Sequence, residues 1–172
     1  MTIMLATFIL SLSIVTLCVM VHYELLYRLG TFLDMQGIQP RQAVLFGVML
    51  ALAAHIIEIY IFAGGYYYVL HNPDLGTFTG DAALEDFWDC VYLSFVTYST
   101  LGFGDIVPEG WVRFMVGTEA VTGLVQIAWT ASFLYFQMDL QWRDNPPRVT
   151  GFRKPSGPAG AGRDSGRDNS RA

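Results

Sequence analysis

Between residues 70 and 110 the chain has no lysine or arginine, although seven acidic side chains fall there: Asp74, Asp81, Glu85, Asp86, Asp89, Asp105 and Glu109. Cysteine is nearly absent too. Cys18 and Cys90 each lie inside an apolar run, which excludes a disulfide framework and reads both as small buried hydrophobes. Gly-x-Ser-x-Gly, Cys-x-x-Cys, His-Glu-x-x-His and a Gly-Lys-Ser/Thr phosphate loop are all missing. No enzyme chemistry is therefore expected, and no organic cofactor, small-molecule substrate or nucleic-acid partner. Charge of either sign is scarce, at 15% of residues against 53% hydrophobic, with a mean hydropathy of +0.39. That balance is too apolar for a soluble domain of 172 residues and fits one small all-α membrane domain.

What is present divides the chain into three parts. Residues 1–28 hold an apolar run, Ile3 to Tyr23, of about 20 residues, enough to cross a hydrocarbon core. No basic segment precedes it, so it reads as a transmembrane helix and not a cleaved signal, and His22, Glu24 and Arg28 mark its exit into the headgroup zone. Gly30, Gly37 and Pro40 make Tyr27 to Arg41 a short turn. Residues 41–140 follow as a second unit. It has an outer helix over about 42–68 ending in an interfacial Tyr66-Tyr67-Tyr68 cluster, a loop from His71 to Gly80, and a short helix over about 82–99 capped by Asp81. A glycine-rich stretch at 100–105 and an inner helix over about 111–138 complete it. The helix at 82–99 is too short and too acidic at its start to span, so it should re-enter and turn back.

The tail, residues 141–172, changes to Pro, Gly, Arg, Asp and Ser and reads as disordered. It holds Arg143, Arg148, Arg153, Lys154, Arg163, Arg167 and Arg171, seven of the ten basic residues, which suits the cytoplasm and anionic lipid. The expected map has three spans, with the N-terminus and the acidic loop outside, and the first turn and the tail inside, in a plasma or inner membrane.

The stretch that organises the rest is Ser99-Thr100-Leu101-Gly102-Phe103-Gly104-Asp105. Two glycines one residue apart let the backbone alternate between left- and right-handed conformations, so that successive carbonyls point to one side. A dinucleotide fingerprint fails, since its sixth position would be Val107. Thr100-Leu101-Gly102-Phe103-Gly104-Asp105 resembles the Thr-Val-Gly-Tyr-Gly-Asp filter of the tetrameric potassium channels, with Leu for Val and a Phe that lacks the Tyr hydroxyl. The likeness is firm over about Phe87 to Gly123, and the first helix lies outside it. It implies a homotetramer in which carbonyls of Thr100, Leu101, Gly102 and Phe103, with the Thr100 hydroxyl, bind K+ as stacked oxygen rings, while Leu101 and Phe103 pack behind. It further implies that Asp105 bonds to a pore-helix aromatic, at Tyr92 here. At Val96, where some relatives carry an acid, this chain is apolar.

Gly123, 19 residues past Gly104, admits two readings, a hinge or close helix packing. Ile127, Ala131 and Leu134 are candidates to line the cavity, with Phe133 or Phe136 as a constriction. His55 and Glu58, three apart at membrane depth, and Glu119 in the third span are candidates for pH sensing or gating, or else for buried packing. A metal site is weaker, because His-x-x-Glu offers two ligands and neither His22 nor His71 falls at the same depth. No repeated arginine marks a voltage sensor. The reading is a potassium channel subunit; alternatives are a nonselective cation channel of the same architecture, and a non-conducting membrane sensor or assembly protein.

Overall fold

A computed structural model describes residues 1–35, 40–82 and 84–144; of the tail expected to be disordered from 141, residues 141–144 instead continue the last helix, and the remainder lies outside the described residues. Four helices and a two-stranded ribbon appear in the order α1 (Thr2–Met35), α2 (Pro40–Leu70), β1 (Thr77–Gly80), α3 (Phe87–Tyr98), β2 (Ile106–Glu109) and α4 (Val112–Asp144).

The first helix buries one face, Thr7, Ser11, Ile14, Cys18, His22, Leu26 and Leu29, at steps of three and four residues, and exposes most of its large apolar side chains elsewhere. It also runs straight through Gly30 to Met35, which corrects the turn expected from Tyr27. A glycine inside a helix costs about 1 kcal/mol relative to alanine. A Cβ here would make only ordinary contact with Phe133 and Gln137 of α4, both 3.6 Å away, so space does not demand the glycine. Pro40 opens α2, where its missing N–H is no loss.

Two helical stretches, Thr2–Phe32 and Val44–Leu70, are long and apolar enough to cross a membrane. The 33 residues of α4 reach about 50 Å at 1.5 Å per residue, but polar side chains dilute its hydropathy. Those polar side chains, Glu119, Thr122, Gln126, Thr130 and Gln137, are buried along one face of α4. Between lipid-like helices there is no hydrophobic drive, so close approach at small residues holds them together. A Cβ at Gly65 of α2 would overlap Met115 of α4 and Ile14 of α1, which shows how tightly these three helices meet.

The pore helix is shorter than its sequence suggests. It starts at Phe87, and Asp86 is its cap in place of Asp81. Asp86 Oδ1 accepts from the Trp88 and Asp89 amides at 2.7 and 3.0 Å, while Asp89 Oδ2 accepts from the Glu85 and Asp86 amides at 2.9 and 3.1 Å. This reciprocal box outcompetes a start at Asp81 because it satisfies four amides at once.

The expected loop before the pore helix also holds structure. Pro73–Leu75 forms a single tight turn, and Thr77–Gly80 pairs antiparallel with Ile106–Glu109, Thr77 opposite Glu109 and Gly80 opposite Ile106. The core gathers where α3 wedges between the long helices: Phe62, Ala63, Tyr66 and Val69 of α2 meet Cys90, Val91, Leu93 and Val96 of α3 and Val112 and Met115 of α4. Tyr66 is therefore fully buried, while Tyr67 and Tyr68 are exposed, so only two of the three tyrosines can meet an interface. Cys18 and Cys90 are buried and free.

Candidate pore site

The loop after α3 departs from helical geometry one residue at a time. Thr100, Gly102 and Gly104 have φ of 59°, 53° and 80°, and they alternate with residues of ordinary hand. A β-branched residue rarely adopts the left-handed region, at a cost of about 1–2 kcal/mol. Its occurrence at Thr100, beside two glycines in the same hand, marks strain held by surroundings. Those surroundings are visible. The Thr100 amide donates to the Thr97 carbonyl at 2.9 Å and the Gly102 amide to the Val96 carbonyl at 3.0 Å, hanging the start of the loop from the last turn of α3. Ser99 closes that turn, its amide and hydroxyl both donating to the Phe95 carbonyl, at 3.1 and 2.7 Å.

The far end of the loop is held from two directions. Tyr92 Oη donates to Asp105 Oδ2 at 2.6 Å, and this bond holds the phenol above its ordinary pKa. The Ala82 amide donates to the Asp105 carbonyl at 3.2 Å, and the β1–β2 ribbon continues from there. Gly80, at φ 135°, is needed for this, since a Cβ would overlap the Asp105 carbonyl. At Gly102 and Gly104 nothing lies within 4 Å of a Cβ, so conformation and not space demands glycine.

One expectation fails inside a single chain. Leu101 and Phe103 do not pack behind the loop; they are 60% and 65% exposed. The wall that would cover them is not supplied by their own subunit.

Below the loop, Gly123 of α4 lies against Tyr98, the last residue of α3, and a Cβ there would overlap the Tyr98 carbonyl. Close approach accounts for this glycine, and α4 runs through it unbroken. Ile127, Ala131 and Leu134 flank a groove of about 600 Å³ shared with Leu52 and Ile56 of α2 and Phe95 of α3.

The buried polar groups form two clusters. Glu119 does not join His55 and Glu58. It is held between Tyr66 of α2, whose hydroxyl donates to it, and Ser94 of α3, whose Oγ lies 2.5 Å from Glu119 Oε1 and 2.9 Å from the Ile59 carbonyl. The Glu58 cluster instead recruits His22 from α1, with Nδ1 2.8 Å from Glu58 Oε1. This corrects the placing of His22 outside that depth: α1 continues well past it, so it sits mid-helix and fully buried. His55 Nδ1 lies 3.3 Å from Glu58 Oε2 and 2.9 Å from Tyr98 Oη, and Tyr98 donates to Glu58. Thr130 Oγ1 completes a ring, 3.2 Å from Nε2 of both histidines. His22, Tyr66, Ser94, Tyr98 and Thr130 escape a motif search. The signal that marks some of them is a polar stripe at helical spacing, Thr7, Ser11, Cys18 and His22 on α1, and Glu119, Thr122, Gln126 and Thr130 on α4.

Two long helices enclosing a short re-entrant helix, followed by a backbone loop of alternating hand pinned at both ends, define a pore-loop membrane protein. Residues 54–136 match the family model described as Ion channel. The match runs from the middle of α2 to the lower part of α4, and α1 lies outside it. No curated protein and no solved structure matches the chain.

Proposed function

We propose that the chain is the pore-forming subunit of a potassium-selective channel, assembled as a homotetramer around the loop at 100–105. One observation carries this reading. Left-handed φ at Thr100, Gly102 and Gly104 is the conformation that turns successive carbonyls of Thr100, Leu101, Gly102 and Phe103 to one side. One such row encloses nothing, whereas four around an axis replace the hydration shell of K+. The exposure of Leu101 and Phe103 supports the same assembly, because large apolar side chains left bare by one subunit need a neighbour to cover them. The carboxyl end of α3 then directs its negative dipole toward the axis, favouring a cation below the loop.

In this reading α1, α2 and α4 all span, the N-terminus and the acidic 70–110 stretch face outward, and the basic tail faces the cytoplasm. Ile127, Ala131 and Leu134 face the ion path or a neighbouring copy. A nonselective cation channel of the same architecture is the second reading, supported by Phe103, which has no hydroxyl to tie the loop to a neighbour. The test is potassium flux from liposomes carrying the purified protein. Flux is expected from the wild type and none from Gly102→Asp; equal flux from both, or none from either, overturns the proposal.

A further inference from the structure

Of the polar groups inside the molecule, those around Glu58 converge most closely. One ring nitrogen of His22, one of His55 and a Glu58 carboxylate oxygen all lie within 4.8 Å of one another, and Tyr98 Oη meets both Glu58 and His55. We propose that His22, His55, Glu58 and Tyr98 bind one first-row transition-metal dication, with zinc the best fit, joining α1 to α2 and to the last residue of the pore helix. Two imidazole nitrogens and two oxygens suit zinc or its close relatives, whereas magnesium and calcium require oxygen donors.

The spacing fits. Tetrahedral zinc with bonds of about 2.0–2.1 Å sets its ligand atoms about 3.3 Å apart. His55 Nδ1 and Glu58 Oε2 already stand 3.3 Å apart. The His22–Glu58 and His55–Tyr98 separations of 2.8 and 2.9 Å open by a few tenths of an ångström, and the shorter Tyr98–Glu58 contact opens the most. The Glu58 carboxylate offsets one of the metal's two positive charges at membrane depth.

The groups around the four ligands supply an independent argument. When a histidine ligates through Nδ1, its outer Nε2 carries a proton and needs an acceptor that fixes the ring. Thr130 Oγ1 stands 3.2 Å from both outer nitrogens. With no metal, its hydroxyl can donate to one Nε2 and accept from the other. With both histidines ligating, its oxygen accepts from both.

Gln126 adds a second sign. It is 1% exposed, and its Nε2 has no partner among the described residues, while the other end of the amide lies 3.1 Å from Tyr98 Oη. Turned over, that amide donates to the ligating Tyr98 oxygen. The site also explains why α1, which lies outside the matched ion channel residues, presents a fully buried histidine at this depth.

The experiment uses the full chain without a histidine tag, in detergent, stripped with chelator and titrated with Co2+ and then Zn2+. One Co2+ per chain is expected, with the intense visible absorption of a four-coordinate site, bleached as Zn2+ displaces it. His22→Gln and Glu58→Gln should weaken Co2+ binding by 100-fold or more. Thr130→Val should weaken it about 10- to 100-fold while keeping the four-coordinate band. Tyr98→Phe should shift that band, and His71→Ala, a histidine outside the cluster, should change nothing. The wild-type spectrum needs no variant to fold: a chain that leaves Co2+ in its aqueous form, or takes it up equally after His22→Gln, overturns the site. None of these readouts requires ion conduction, so the metal site and the channel reading fail separately.

Discussion

At the scale of single residues, the account turns on the hand of the backbone at 100, 102 and 104. Gly102→Ala places a Cβ where φ is 53° with no steric contact within 4 Å. Its cost is therefore purely conformational, about 1–2 kcal/mol in each chain, repeated in every copy around the axis. Conduction measured as liposome flux should be lost while the protein still folds. Tyr92 and Asp105 act through one hydrogen bond, so Tyr92→Phe and Asp105→Asn should lower the preference for K+ over Na+ in the same direction. The double variant should be no worse than the worse single one. Additive losses would show that the two residues act apart.

The Tyr92–Asp105 pairing and the significance of Val96 were implied by the resemblance to potassium channels, while the glycines were legible from residue type and spacing along one segment. His22 was not. Its partners are remote in sequence, and a lone histidine near the end of an apolar run looks the same whether the helix stops there or, as here, continues to Met35.

At the scale of elements, the short helix and the ribbon hold the loop. The Asp89 carboxyl is held below its ordinary value, chiefly by the Glu85 amide and then by the Asp86 amide. A group whose folded pKa is lowered contributes fully above its unfolded value, near 4 for aspartate, and loses that contribution as pH falls through the lowered one. Protection from hydrogen exchange at the first turn of α3, taken relative to the intrinsic rate at each pH, should therefore be unchanged from pH 7 to 5 and fall only in stronger acid. Loosening already at pH 6 would contradict this.

Helix packing makes a sharper contrast. Gly123→Ala drives a Cβ into the Tyr98 carbonyl, which is backbone and cannot give way. Gly117, on the same helix, has nothing within 4 Å, so Gly117→Ala should stabilise by up to about 1 kcal/mol. Thermal unfolding should move in opposite directions for the two. The long helices were legible from apolar run length, and the pore helix from its mixed character. The β1–β2 ribbon was not, because it pairs residues on either side of that helix; the start at Asp86 rests on its reciprocal box with Asp89, which a single capping aspartate at 81 does not reveal.

At the scale of the whole molecule, one chain leaves Leu101 and Phe103 bare, and in the proposed function it supplies a single row of carbonyls. Four copies answer both facts, and native mass spectrometry should find a tetramer. A reporter fused after Ala172 should be cytoplasmic and one inserted near Gly76 external; both on one side would break the three-span map. The likeness to ion channels over residues 54–136 was legible because the glycine-rich segment is local. The exposure of Leu101 and Phe103 was not, because it depends on what the rest of the chain leaves uncovered.

The most direct test of the central claim is the reversal potential of the purified protein in a planar bilayer with potassium on one side and sodium on the other. Potassium selectivity through the 100–105 loop predicts a reversal far from zero, toward the potassium equilibrium potential, with current stopped by barium and absent in Gly102→Asp. A reversal at zero, or a current indifferent to both barium and Gly102→Asp, would contradict it.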